Sequence, residues 1–238
     1  MRLTKLLWTG LAGQCLATYV TPYEGVDGKL VRRDELPPNN ANFNPPPSED
    51  PWYQAPEGWQ TKPLGAVLKT RPHAYPTINI RNCLDTFQML YRTSNSHGEA
   101  SWAVSTIFVP ATHANCSSTS PERCAHGVVS YQLATDSVWS NASPSYLLQA
   151  RDPWGEMRDL LAQGWFVATP DYEGPNAAYC AGKQAGHAIL DGVRAVLAVG
   201  PQLGLRMDKV KVGSTYLAVP CSLDQSGEHD KSHSRTSF

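Results

Sequence analysis

The stretch Gly127-Val128-Val129-Ser130-Tyr131 decides the fold, because it is a short apolar run that suits a strand buried on both faces. Downstream, Asp152-Pro153 starts a predicted helix, with aspartate as the N-cap and proline at the first helical position, and Gly164 ends it. Trp165 to Thr169 follows as a second buried strand. A strand, a crossover helix and another strand predict neighbouring parallel strands.

The flanking segments extend this pattern in both directions. Upstream, residues 85–93 alternate apolar and polar side chains, and residues 102–109 form the return strand of a hairpin after a polar turn. Downstream, residues 183–199 predict a helix with one apolar stripe, and residues 209–212 begin a further strand. The predicted fold class is therefore α/β, with an antiparallel front hairpin followed by parallel strands and crossover helices.

The chain divides into five predicted segments. Residues 1–17 are a signal peptide, because two positive charges precede an uncharged apolar run that is too short to span a bilayer. Residues 18–33 form a propeptide ending at the dibasic pair Arg32-Arg33, unless these are two ordinary surface arginines. An extended segment rich in proline and asparagine, a partial α/β domain and a polar tail follow at residues 34–51, 52–212 and 213–238. We expect a secreted, extracellular protein.

Composition excludes some partners. The formal net charge is -1, and no cluster of lysine and arginine with interleaved aromatics appears, so we expect no nucleic-acid partner. No segment after the signal peptide approaches 18 consecutive apolar residues, so we expect no transmembrane segment. One soluble domain that acts as a monomer is the simplest expectation.

The cysteines and the N-glycosylation triplets are consistent with a secreted protein. Four cysteines would pair in an oxidising compartment, which leaves three connectivities open, and Cys221 is left over. A zinc site at Cys116, Cys124 and His126 is the alternative, although its spacing fits no usual ligand pattern. Asn115 and Asn141 begin the two N-glycosylation triplets. The disulfide candidates are Cys83, Cys116, Cys124 and Cys180.

A series of short fragments resembles the fungal secretory lipases of the lipase A type, which belong to the α/β-hydrolase superfamily. Each fragment is weak alone, and their order along the chain makes the resemblance specific. The fragments are Asp50-Pro51-Trp52-Tyr53, Pro56-Glu57-Gly58-Trp59, Gly65-Ala66-Val67-Leu68-Lys69-Thr70-Arg71, Tyr91-Arg92-Thr93, Ser130-Tyr131-Gln132, Pro144-Ser145-Tyr146, Gly164-Trp165, Pro170-Asp171-Tyr172-Glu173-Gly174-Pro175 and Gly186-His187-Ala188-Ile189-Leu190-Asp191-Gly192-Val193-Arg194-Ala195.

The resemblance implies an enzyme that hydrolyses triacylglycerols and other carboxylic esters at an oil–water interface. It implies a Ser-Asp-His triad, an oxyanion hole and a lid, without metal or cofactor. The oxyanion-hole aspartate of the family falls on Asp136, whose backbone N–H is the expected donor; the alternative is that Asp136 caps the next turn. We interpret Asp171 and Glu173 as scaffold, because the family takes its triad acid from further along its sequence.

The sequence departs from the family pattern after Val212. The nucleophile motif Gly-x-Ser-x-Gly is absent, and the chain continues Gly213-Ser214-Thr215-Tyr216. Ser214 is a weak nucleophile candidate, and the tail histidines His229 and His233 are expected to be solvated. The chain is therefore expected to be catalytically incomplete and unstable by itself. A non-catalytic acyl-binding protein and a functionless truncated fragment are the alternatives to a lipase.

Overall fold

The computed structural model describes residues 44–73, 80–115, 125, 127–135, 137–149 and 155–215. Within these ranges six strands form one mixed sheet in the order β1-β2-β3-β5-β4-β6. The strands are β1 (Val67–Pro72), β2 (Cys83–Ser94), β3 (Ala100–Pro110), β4 (Gly127–Ser130), β5 (Trp165–Pro170) and β6 (Lys211–Ser214). The α-helices are α1 (Pro144–Leu147), α2 (Gly155–Ala162) and α3 (Gly182–Val199). Short 3-10 helices cover Pro51–Tyr53, Trp59–Thr61, Ala111–Asn115 and Ser140–Ala142.

The front half of the sheet is antiparallel. β2 and β3 form the predicted hairpin, with Met89 opposite Ser105, and both strands are longer than the alternation indicated. β1 pairs antiparallel with β2 and was not predicted. Its sequence includes Lys69 and Arg71, so β1 lacks the apolar pattern that predicts a buried strand. Arg71 is nevertheless buried.

The back half of the sheet is parallel, which confirms the predicted α/β class. β4 pairs in parallel with both β5 and β6, and β3 joins the two halves by pairing antiparallel with β5. β6 includes Gly213 and Ser214, so the strand continues into the segment predicted to be a polar tail. In the sheet of the described residues, β6 is an edge strand.

Helices cover both faces of the sheet. Successive residues of a strand point to opposite faces, so Val128 and Phe166 belong to one apolar cluster while Val129 and Val167 belong to another. The first cluster is closed by α3, through Ala188, Ala195 and Val196. The second is closed by α2, through Met157 and Leu161. Covering on both faces explains the continuous apolar runs of β4 and β5.

Residues 44–54, here the N-terminal arm, are more structured than the predicted extended segment. A turn is closed by the Asp50 N–H, which donates to the Pro46 carbonyl at 3.0 Å. The Asp50 and Tyr53 side chains are buried, and Asp50 forms an ion pair with Arg71 of β1. The arm is therefore part of the packed domain, which begins before the predicted boundary at Trp52.

No helix among the described residues has both the length and the apolar character that a bilayer span requires.

Candidate active site

The carboxyl ends of β4, β5 and β6 lie at one edge of the sheet, as the parallel arrangement predicted. The loop at residues 131–135 leaves β4, the loop at residues 171–181 leaves β5, and Thr215 follows β6. In open α/β sheets this edge is where ligands bind. The three strand ends therefore define the candidate active site.

Gln132 links the loop after β4 to the end of β6. Its backbone N–H donates to Thr215 Oγ1 at 3.1 Å, and its Oε1 accepts from Ser214 Oγ at 3.2 Å. Its Nε2 donates to Ser130 Oγ at 2.7 Å, which fixes the orientation of the amide. The Thr215 N–H continues the parallel ladder by donating to the Ser130 carbonyl at 2.9 Å. Gln132 thus sets the spacing between the two strand ends.

Tyr172, which follows β5, holds the same loop from the other side. Its hydroxyl donates to the Leu133 carbonyl at 2.9 Å and accepts from the Thr135 N–H at 3.1 Å. These two bonds fix the backbone immediately before Asp136. Asp136 itself lies outside the described residues, so its oxyanion role stays a prediction.

Replacing Tyr172 by Phe is expected to lower the free energy of unfolding by about 1–3 kcal/mol, because the Thr135 N–H loses its partner in a buried setting. Chemical denaturation measures this change. Tyr131→Phe is the matched control: its hydroxyl contacts Glu156 at 3.4 Å, so the same deletion should cost less. Equal losses in the two variants would contradict the positioning role of Tyr172.

The structure adds Thr215 as a candidate that the sequence analysis missed. Ser214, the predicted weak nucleophile, is the last residue of β6, and Thr215 is the first residue beyond it. A nucleophile on a strand-to-helix turn stands just after its strand. Counting from Gly213 in the pattern Gly-x-Ser-x-Gly also places the serine position at 215, so spacing alone could have identified Thr215.

Asp171 belongs to a buried polar cluster, which supports its interpretation as scaffold. Its carboxylate accepts from the Ser145 N–H at 2.8 Å and from Ser145 Oγ at 2.5 Å. The Tyr53 hydroxyl lies 2.9 Å from the same Oγ. Burial raises the pKa of Asp171 to about 7, although the two bonds from Ser145 oppose the shift. Glu173 is also buried, and its carbonyl accepts from Gln184 Nε2.

A cavity of about 160 Å³ adjoins this cluster. The N-terminal arm, the start of β3 and the loops after β4 and β5 line it. Tyr53, Trp102, Ser143 and Asp171 are among its lining residues. The cavity lies at the same edge of the sheet as the candidate site, because the first residues of β3 extend past the carboxyl end of the antiparallel β5, where Pro170 pairs with Ser105.

The environment of Asn141 does not fit the predicted glycosylation. Its side chain is buried, its Oδ1 accepts from the Ser48 N–H at 2.9 Å, and its Nδ2 donates to Ser48 Oγ at 2.8 Å. A glycan on Nδ2 would displace the N-terminal arm. Asn115 ends a 3-10 helix, and its glycosylation stays a prediction.

We therefore expect Asn141 to be unmodified in the folded protein, because its amide bonds to Ser48 and a glycan there would not fit beside the docked arm. Peptide mapping by mass spectrometry, before and after enzymatic removal of N-glycans, tests this. A glycan at Asn141 in monodisperse protein would contradict the docking of the arm.

Most of the residues in the disulfide and zinc predictions lie outside the described part of the chain. Cys83 Sγ lies 3.2 Å from the Asp85 carbonyl. Cys116, Cys124, His126 and Cys221 lie outside the described residues, so the disulfide pairing and the zinc alternative stay predictions. Among the described residues, no group of three or more histidine, cysteine, aspartate or glutamate side chains is placed to hold a metal ion.

Comparison with known proteins relates this structure to lipases and esterases. Residues 155–213 match a family model described as secretory lipase. Lipase A of Arthroderma benhamiae is 39% identical over 180 residues, and the trichothecene C-3 esterase of Fusarium sporotrichioides is 40% identical over 171 residues. Each match covers 68% of this chain and 36% of the relative. The chain thus spans little more than a third of the length of these relatives.

A solved structure shows the same relationship. The X-ray structure of Candida antarctica lipase A matches with a TM-score of 0.58 and 29% sequence identity, over 72% of this chain and 39% of that chain. The mixed sheet and its two helical layers are those of an α/β-hydrolase. Within that class, the chain belongs to the secretory lipase family, as the sequence fragments predicted.

Proposed function

We propose that the protein is a secreted, serine-dependent carboxylic ester hydrolase that acts on triacylglycerols. The relatives named as lipases and esterases support ester hydrolysis. The observation that carries the proposal is the joining of the loop after β4 to the end of β6 through Gln132. This contact brings the expected oxyanion-hole segment beside the strand end that carries the nucleophile in an α/β-hydrolase.

The chemistry requires each of these parts. A hydroxyl attacks the ester carbonyl while the histidine of the triad that the resemblance implies takes the hydroxyl proton, and the carbonyl oxygen becomes an anion that N–H donors must stabilise. In the proposed site the Asp136 N–H is the donor on the β4 side. The two bonds of Tyr172 fix the backbone of Leu133 and Thr135, which precede it in the chain. Ser214 and Thr215 are the hydroxyls that the described residues offer at the β6 side.

A fluorophosphonate probe tests the serine-dependent mechanism, because it phosphorylates an activated hydroxyl and leaves a stable mass tag. Although the missing motif predicts a catalytically incomplete chain, the proposed function requires the protein to hydrolyse p-nitrophenyl butyrate and to carry the tag on an activated hydroxyl at the candidate edge. Peptide mapping distinguishes Ser214 from Thr215, and the variants Ser214→Ala and Thr215→Ala supply the controls. Hydrolysis without any tag would overturn the serine-dependent mechanism.

A non-catalytic acyl-binding protein is the second candidate, favoured by Thr215, Tyr216 and Leu217 at the positions where the motif has serine, any residue and glycine. It predicts fatty-acid binding by folded protein with neither hydrolysis nor probe labelling. Calorimetry with a short-chain fatty acid measures the binding. Hydrolysis that is lost in a site variant would exclude this candidate.

A further inference from the structure

The N-terminal arm is hydrogen-bonded to residues 140–149, which follow the candidate oxyanion-hole loop in the chain. Four bonds join the two stretches, although the partners are 92–105 positions apart in the sequence. They are Asn44 N–H to Gln149 Oε1 at 2.7 Å, Ser48 N–H to Asn141 Oδ1 at 2.9 Å, Asn141 Nδ2 to Ser48 Oγ at 2.8 Å, and the Tyr53 hydroxyl with Ser145 Oγ at 2.9 Å. The arm therefore holds residues 140–149 at three successive points.

The arm is itself fixed to the sheet. Arg71 of β1 forms the buried ion pair with Asp50, and its Nε donates to Gln88 Oε1 at 2.7 Å. Gln88 Nε2 in turn donates to the Ser145 carbonyl at 2.7 Å. Because a partner left alone from a buried ion pair is strongly unfavourable, the arm is a firm support for the residues it bonds.

Local bonds extend this support toward the end of β4. The Trp139 N–H donates to Ser137 Oγ at 3.1 Å, and the Ala142 N–H donates to the Trp139 carbonyl at 2.9 Å. Residues 137–142 are therefore a compact turn, and Asn141 joins this turn to the arm. A displacement of the arm would move the turn with it.

Two different elements thus hold residues 131–149, here the 131–149 segment. Tyr172, which follows β5, bonds to Leu133 and Thr135. The N-terminal arm holds the segment from residue 141 onward. Asp136 lies between the two sets of contacts in the sequence. A hydrogen-bond donor is most effective in catalysis when it is positioned before the reaction begins, which requires support on both sides.

We propose that the N-terminal arm and Tyr172 hold the 131–149 segment as one cooperative unit, and that Asn141 is the positioning residue through which the arm acts. The consequence for ester hydrolysis rests on the proposed function, since the expected oxyanion donor belongs to this segment. The cooperative support itself does not depend on hydrolysis.

Amide hydrogen exchange of the secreted protein, followed by NMR, tests the proposal. Asn141→Ala removes both bonds to Ser48 and should speed exchange of the Trp139 and Ala142 amides by about tenfold or more, relative to the amides of α3. In a cooperative unit the Thr135 N–H, which Tyr172 holds, should speed up by a similar factor. Asn141→Asp should restore much of the protection, because its carboxylate still accepts from the Ser48 N–H.

Tyr172→Phe supplies the reciprocal test. This change removes the partner of the Thr135 N–H, and it should also speed exchange of the Trp139 and Ala142 amides. The matched control is Asn95→Ala, because the Asn95 amide braces the β2–β3 turn by comparable bonds with residues 97 and 99. Asn95→Ala should speed exchange within that turn and leave the 131–149 segment unchanged.

Three results would overturn the proposal: unchanged exchange in Asn141→Ala, faster exchange of the Trp139 and Ala142 amides with an unchanged Thr135 amide, or an equal effect of Asn95→Ala on the segment. If Asn141→Ala does not fold, Ser48→Ala removes one of the two bonds and should give a smaller increase at the same amides.

Kinetics separates this inference from the proposed function. In protein that hydrolyses p-nitrophenyl butyrate, Asn141→Ala should lower kcat while KM changes by less than about twofold, because Asn141 acts through the segment and binds no substrate. Protein without hydrolysis would contradict the proposed function, and the exchange results would still decide whether the segment is held as one unit.

Discussion

Replacing Arg71 by Ala is expected to lower the free energy of unfolding by about 3–5 kcal/mol. The guanidinium of Arg71 donates to Asp50 at 2.5 Å, and both side chains are 8% exposed. Removing the arginine leaves the Asp50 carboxylate buried without its counter-charge, which costs more than the pair itself contributes. Urea denaturation measures the loss.

Two further contacts of Arg71 add to this effect. Its Nε donates to Gln88 Oε1 at 2.7 Å, and its guanidinium carbon lies 3.9 Å from the centroid of the Trp52 ring. The matched control is Arg206→Ala, because Arg206 pairs with Asp208 near the surface, where such a deletion should cost less than about 1 kcal/mol. A loss for Arg71→Ala no larger than the control would contradict the described packing of the N-terminal arm.

Replacing Asp171 by Asn is expected to change how stability depends on pH. The pKa of Asp171 is raised by burial to about 7 in the folded protein, from an ordinary value of 3.8. A raised folded pKa means that the stabilising contribution is fully present below 3.8 and is lost as pH rises through about 7. From pH 4 to pH 7, titration of Asp171 should therefore lower the free energy of unfolding, by at most about 1.4 kcal/mol per pH unit.

Asp171→Asn removes this titration while keeping a side chain of the same shape. The difference in unfolding free energy between the unchanged protein and the variant should shift in favour of the variant as pH rises. Burial also raises the pKa of the neighbouring Tyr53, so that phenol does not titrate in this range. Denaturation curves at pH 4, 5.5 and 7 provide the test, and a constant difference would show that Asp171 is not the titrating group.

Much of the fold could be predicted because its signals are local. Alternation in residues 85–93 indicated β2, and the continuous apolar runs at residues 127–131 and 165–169 indicated strands covered on both faces. β1 was missed because Lys69 and Arg71 find their partners at long range. Lys69 Nζ donates to the Trp52 carbonyl at 3.2 Å, a contact between residues 17 positions apart.

The site was harder to predict than the fold. Strand order implied that the ends of β4 and β6 meet, but the bonds from Gln132 to Ser214 and Thr215 join residues 82 and 83 positions apart. Two further interactions depend on residues that are distant in the sequence. Tyr172 holds the loop after β4 by hydrogen bonds, and Ser48 forms hydrogen bonds with the side-chain amide of Asn141. A glycosylation triplet describes what an enzyme can recognise in an unfolded chain, whereas burial decides what the folded structure tolerates.

The most direct test of the central claim is the effect of two substitutions at position 136 on kcat/KM for p-nitrophenyl butyrate. Asp136→Pro removes the backbone N–H that is the proposed oxyanion donor, whereas Asp136→Ala keeps it and removes only the carboxylate. We predict that the proline variant loses about 100-fold or more, and that the alanine variant loses clearly less. Folded protein that hydrolyses no ester, or a proline variant as active as the unchanged protein, would contradict an ester-hydrolysing site at this edge.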